Sequence, residues 1–175
     1  NAAIVTINEH IGMHLKYGTD IVIRDCVFEN WWEIGLKLER CKNVTIENCT
    51  FTDCGNLTNR SGGIVIKECD NVVIKNCTFH GCFKGISVEA DGTTRYPSKD
   101  VYIMDCDIRA LEGIAISGGI LGVLKVTGNN IPVTPLNPKR CHTGALQDTM
   151  NNGSGIICRD NGWEGSFIID DNIIG

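Results

Sequence analysis

Two glutamates, Glu39 and Glu89, are the residues best suited to reaction chemistry in this chain, because paired carboxylates can divide general-acid and general-base work between them. The adjacent Trp31 and Trp32 offer flat apolar faces on which a sugar ring can rest; a strand could bury only one of two neighbours, which places the pair in a loop or makes it a hydrophobic plug beneath one. His142 falls with Lys139 and Arg140 in a Pro-rich excursion, and long loops on rigid scaffolds tend to carry function. His80, in Phe-His-Gly-Cys, reads more simply as a corner residue.

Cysteine is the other reactive group, with ten copies. Cys41 and Cys69, Cys49 and Cys77, and Cys54 and Cys82 each stand 28 residues apart. Thiolates at short spacing can bind zinc, but these intervals lack the tighter spacing of zinc ribbons, and no metal or other cofactor is assigned. Thiols stacked one rung apart would have side chains separated by about 4.8 Å, a poor match to the roughly 3.8 Å between the Cβ atoms of a disulfide. The expectation is free, buried thiols and synthesis in a reducing cytoplasm.

What positions these groups is a repeat. Residues 35–49, GLKLERCKNVTIENC, recur at 63–77 as GIVIKECDNVVIKNC, and a more divergent copy is GMHLKYGTDIVIRDC at 12–26. Further copies begin at Gly85, Gly113 and Gly155, with length variation placed in loops. Each copy holds three short runs with the period-two alternation of strands. In the copy at 63 the inward set is Ile64, Ile66, Val72, Ile74, Cys77 and Phe79, matched before it by Leu36, Leu38, Val44, Ile46, Cys49 and Phe51. Outward columns alternate in sign: Lys16, Glu39, Lys67, Glu89; Arg24, Glu47, Lys75; and Thr19, Lys42, Asp70, Lys99. Such ladders support register between parallel strands.

Two Asx columns mark the corners. Asp25, Asn48, Asn76, Asp105 and Asp171 precede the third strand, and Asp20, Asn43, Asn71 and Asp100 enter the second; Asx residues tolerate left-handed backbone. Three strands per repeat with tight polar corners, a fixed register and this Asx ladder resemble the pectin-lyase-like superfamily of right-handed parallel β-helices over essentially the whole chain. The fold class is therefore all-β, about six coils of three short strands, and residues 1–175 read as one β-helix domain. Its abrupt ends suggest part of a longer protein. Sequons at Asn43, Asn48, Asn56, Asn59, Asn76 and Asn152 read mostly as by-products of the ladder, with Asn48 and Asn76 committed to the backbone.

In polysaccharide-degrading members of that superfamily the substrate groove generally lies over the first strand. The resemblance thus implies a groove with Lys37 on its floor and Trp31, Trp32, Arg95 and His142 on its bordering loops. Glu39 and Glu89 would lie two rungs apart, about 9.6 Å at about 4.8 Å per rung, near the upper end of the separation used by inverting glycosidases. Lys67 stands between them and would keep both ionised, which suits a salt ladder better than a general acid. The Asn-Thr-Asp, Gly-His-Gly and Arg-Ile-Lys signatures of polygalacturonases are absent, as are the aspartate set of pectate lyases and the Asp-Pro-His of alginate epimerases.

A net charge of −5 without a Lys/Arg block argues against nucleic acid as the partner, and the longest apolar stretch, near residues 114–126, is interrupted by Ser117, glycines and Lys125, which argues against membrane insertion. The resulting expectation is a β-helix that binds or degrades polysaccharide, in the setting of a phage tail spike or appendage, virion-associated and homotrimeric, with the apolar outer positions Val65, Ala115 and Ile157 covered by neighbouring copies. A free-standing bacterial polysaccharide lyase or hydrolase, and a structural or protein-binding β-helix, are the alternatives.

Overall fold

The computed structural model describes residues 4–6, 10–56, 58, 61–90, 96–132, 154–158 and 164–175. Within these the backbone forms two sheets. The leading sheet orders Ile11–Lys16, Ile34–Glu39, Gly62–Lys67, Thr78–Glu89 and Asp107–Ile116 side by side, with Ser154–Cys158 on Asp107–Ile116; the second sheet orders Thr19–Arg24, Lys42–Glu47, Asp70–Lys75, Ser98–Met104, Ile120–Thr127 and Glu164–Asp170. Every pairing within these two sets is parallel, as a chain winding through successive coils requires. Ile4–Thr6 departs from the parallel pattern and runs antiparallel to Ile11–Lys16.

The register agrees with the repeat. Lys16 pairs with Glu39, Glu39 with Lys67 and Lys67 with Glu89, so the two glutamates do stand two rungs apart. The third strands, Val27–Glu29 and Thr50–Thr52, continue the stack, but at Thr78–Glu89 and Asp107–Ile116 the third strand of one coil runs unbroken into the leading strand of the next. Gly81 explains the first fusion. It is skipped where the register shifts between His80 and Cys82, and its φ of 69° bends the strand without ending the ladder.

Inward positions stack on their own kind. The rings of Phe28, Phe51 and Phe79 lie parallel, with centroids 4.8 and 4.9 Å apart, and Leu36, Ile64, Ile86 and Ile114 are fully buried in the adjoining column. The leading glycines have a steric origin. A Cβ on Gly63 would lie 2.7 Å from both the Gly85 carbonyl and the Phe79 ring, and one on Gly113 would lie 2.4 Å from the Gly155 carbonyl.

Both Asx columns adopt the left-handed backbone, with φ of 52–55° at Asp25, Asn48, Asn76, Asp105 and Asp171 and 51–57° at Asp20, Asn43, Asn71 and Asp100. Their amides also bond along the stack: Asn43 Nδ2 donates to Asp20 Oδ1 (2.8 Å), Asn71 Nδ2 to Asn43 Oδ1 (3.0 Å) and Asn48 Nδ2 to Asp25 Oδ1 (3.3 Å). Asn48 is therefore committed to the neighbouring rung's side chain rather than to backbone. The sequon amide of Asn56 is buried, donating to the Trp32 carbonyl (2.7 Å) while its oxygen accepts from Thr58 N–H. Asn59 and Asn152 lie outside the described residues.

The corner between leading and second strands breaks the Asx rule. Tyr17, Arg40 and Glu68 stack there with φ of 58°, 54° and 52°. Left-handed backbone costs an ordinary residue about 1–2 kcal/mol, which Asx side chains partly offset by local hydrogen bonding.

The cysteines among the described residues are free thiols, mostly buried, with Cys26 half-buried and Cys158 exposed. Each buried thiol faces the carbonyl two residues before it, as in Cys69 to Lys67 O (3.2 Å), Cys77 to Lys75 O (3.3 Å) and Cys106 to Met104 O (3.2 Å). Burial pushes the Cys49 thiol up to about 11, and hydrogen bonding with Cys41, reinforced by burial, holds Cys69 well above the ordinary thiol range. Both remain protonated donors at neutral pH.

Candidate functional site on the leading sheet

The outward face of the leading sheet carries a polar strip across successive coils. Its residues are there because alternation sends Leu36, Leu38, Ile86 and Val88 inward and leaves Lys37, Glu39, Ser87 and Glu89 outward. On the first two rungs Glu39 is the hub. Its Oε2 lies 3.1 Å from His14 Nε2 and 3.4 Å from Lys37 Nζ, and its Oε1 lies 3.2 Å from Lys16 Nζ. Burial raises the Glu39 carboxyl, but the bond from Lys16, the charges of Lys37 and Lys16, and the His14 bond outweigh it, so the group sits below its usual range. Burial and then Lys37 lower the His14 imidazole, against the pull of Glu39, which leaves it neutral near pH 7. Glu39 is thus a fixed anion held by two ammonium groups and an imidazole.

Two rungs on, Glu89 Oε1 accepts from Ser87 Oγ (2.7 Å) and lies 3.7 Å from Lys84 Nζ, while Oε2 lies 3.5 Å from Lys67 Nζ. Ser87 and Lys84 are buried, and Lys84 is the register partner of Glu112, also buried, on the next coil. The expected sharing of Lys67 between both glutamates is replaced by a division: Lys67 reaches Glu89, and Glu39 is served by Lys16, Lys37 and His14. This arrangement provides acceptors and fixed charges at both ends.

The tryptophans part company. Trp31 packs against the core beneath the first coil, where a Cβ on Gly12 would come within 2.6 Å of its indole nitrogen, whereas Trp32 is 39% exposed. Trp31 is therefore the plug, and Trp32 keeps part of its surface open. Neither lies beside Glu39: they precede the strand Ile34–Glu39 and Glu39 closes it, so the strand alone sets them about 17 Å apart at about 3.3 Å per residue. Arg95 and His142 lie outside the described residues, as do Lys139 and Arg140. His80 is exposed next to the Gly81 bulge, a corner residue.

Two outer apolar positions differ from expectation. Val65 and Ala115 are only 1% and 4% exposed, buried within the chain itself; Ile157 is half-buried. His14, placed outward by the alternation yet only 8% exposed, is a further member of the site. The signal was its register opposite Lys37, one rung from a carboxylate.

Among the described residues no cluster of three or more His, Cys, Asp or Glu side chains is placed to hold a metal ion, and no helix is long and apolar enough to cross a membrane. Comparison with curated proteins and with solved structures returned no match. The family model described as "Right handed beta helix region" matches residues 3–162. With parallel coils, stacked inward columns and left-handed Asx corners already established, the chain belongs to the right-handed β-helix family, a fold of the pectin-lyase-like type.

Proposed function

We propose that this β-helix recognises polysaccharide through the outward face of its leading sheet. The observation that carries the reading is the pre-paired strip from His14, Lys37 and Glu39 to Ser87 and Glu89, whose acceptors and donors are fixed before any ligand arrives. The exposed Trp32, about 17 Å along the strand from Glu39, adds a stacking surface at one margin of the strip. A phage tail spike or surface appendage is the setting we favour. Its support is the set of free thiols, which suits a protein that folds in a reducing cytoplasm.

Glycosidic cleavage is a second reading, favoured by the ionised Glu39 beside neutral His14. Glu39 would act there as base or nucleophile rather than acid. Glu89 is surrounded by Ser87, Lys67 and Lys84, and its Oε1 already accepts from Ser87 Oγ.

The test is a panel of neutral and acidic oligosaccharides titrated against the chain, with Trp32→Ala and the double change Glu39→Gln with Glu89→Gln. Roughly ten-fold weaker binding in each variant, with an unchanged far-UV spectrum, is expected. Unaltered binding in both variants rejects this face. Product release that persists in the double variant rejects the cleavage reading.

A further inference from the structure

A second concave feature lies away from the strip, at the corner where leading strands turn into second strands. Arg40, Glu68, Cys69, Asp70, Tyr96, Pro97 and Lys99 line a shallow, open cleft of about 360 Å³. Three observations mark it as more than a turn.

The corner column itself is the first. The other corners of these coils place Asx or glycine in the left-handed backbone, as at Asn30, Asp53 and Gly81, or at Asp25, Asn48 and Asn76. Tyr17, Arg40 and Glu68 hold the same conformation without the Asx compensation, three coils in succession. What those positions retain is side-chain chemistry: a phenol, a guanidinium and a carboxylate.

The second is preorganisation. Arg40 Nε donates to Glu68 Oε2, Nη1 donates to Tyr17 OH (3.2 Å), and the guanidinium carbon lies 5.9 Å from the Tyr17 ring centre. A planar donor group is thereby fixed at the cleft edge with part of its surface still open.

The third is composition. Tyr96 is 69% exposed and borders the cleft beside the rigid Pro97, presenting an aromatic face. Around it two cations, Arg40 and Lys99, are matched by two anions, Glu68 and Asp70, and Lys99 Nζ also lies 3.9 Å from Asp100 Oδ2. An aromatic face flanked by carboxylate acceptors and cationic donors fits a ring bearing vicinal hydroxyls. The absence of excess positive charge disfavours an anionic sugar.

We infer that the Arg40–Glu68–Asp70–Tyr96–Lys99 cleft binds a neutral hexopyranose unit, as a subsite separate from the leading-sheet strip. This rests on the reading of the chain as a polysaccharide-recognising β-helix and narrows its ligand. The unit stacks on Tyr96, and its hydroxyls donate to Asp70 and accept from Lys99 and Arg40, while Glu68, its side chain only 5% exposed, holds the Arg40 guanidinium in place.

The experiment is a titration of the isotope-labelled 175-residue chain with cellohexaose, maltohexaose and mannohexaose, and with hexagalacturonate as the acidic comparator, following backbone amide shifts. At least one neutral hexasaccharide is expected to shift Arg40, Glu68, Asp70, Tyr96 and Lys99, and Tyr96→Ala to weaken that response about ten-fold. Because Tyr96 is exposed, the variant should keep its fold, which the unperturbed remainder of the spectrum checks. Shifts confined to His14, Lys37, Glu39, Ser87 and Glu89 overturn the subsite and leave the leading-face reading standing. Response to hexagalacturonate alone overturns the neutral-sugar assignment. No response to any of the four overturns both.

Discussion

Glu39 and His14 show how much a single outward position can carry. Both groups titrate below their ordinary values in the folded chain, Glu39 because Lys16, Lys37 and His14 together outweigh its burial, and His14 because burial and Lys37 outweigh Glu39. The folded chain therefore binds each proton less readily than the unfolded chain does. For Glu39 the stabilisation is present above the unfolded value, about 4.3, and is lost as pH falls through the depressed folded value. For His14 stability climbs as pH rises from its folded value towards about 6.5 and is level above that. Both effects raise stability with pH. Urea midpoints measured from pH 3 to 8 are expected to lose the slope just below pH 6.5 in His14→Gln and the slope below about pH 4.5 in Glu39→Gln. Unchanged profiles in the two variants would contradict the paired geometry. The alternation of Leu36, Lys37, Leu38 and Glu39 was enough to place the carboxylate outward, but not to choose its partners, since Lys16, Lys37 and Lys67 were all within reach by register and only rotamers separate them.

At the scale of strands and corners the repeat was nearly transparent, because each inward column must match itself to stack. The Asx corners were legible for the same reason: Asn43, Asn48 and their neighbours recur at the one backbone conformation they tolerate best. The corner of Tyr17, Arg40 and Glu68 was not legible, since nothing in those residue types advertises a positive φ. The alignment of the cysteine and asparagine positions was legible, but their shared bonding was not. By register Cys49, Cys77, Cys106, Asn129 and Asn172 form one column. Asn129 Nδ2 donates to Ile103 O and Thr127 O (3.0 Å each), and Asn172 Nδ2 to Val126 O and Asp170 O (2.8 and 2.9 Å), taking over the role that the thiols play in earlier coils. The leading glycines are the sharpest case for a test. Gly63→Ala forces a Cβ against the Gly85 carbonyl and the Phe79 ring, neither of which can move without shifting a rung, and should cost about 1–3 kcal/mol. Gly175→Ala meets nothing within 4 Å and should be neutral. Comparable melting temperatures for the two variants would refute the steric account of the column.

At the scale of the whole molecule, burial decides which outward surfaces need a partner. The burial of Val65 and Ala115 within the chain removes the argument that the leading face needs neighbouring copies to cover them. An assembly would then have to use other surfaces, and the second sheet presents an outward column of Val22, Thr45, Val73, Tyr102, Lys125 and Ile168 that contains few charges. The tail-spike proposal requires such an assembly, because spikes gain rigidity from coils packed around a common axis. Light scattering on the 175-residue chain is therefore expected to give three times 19.1 kDa, with Val73→Glu shifting the mass toward one. A mass of 19.1 kDa for the unsubstituted chain at high concentration would count against the spike setting for this stretch. It would leave glycan recognition intact, since both the strip around Glu39 and the cleft beside Tyr96 are built from residues of one chain.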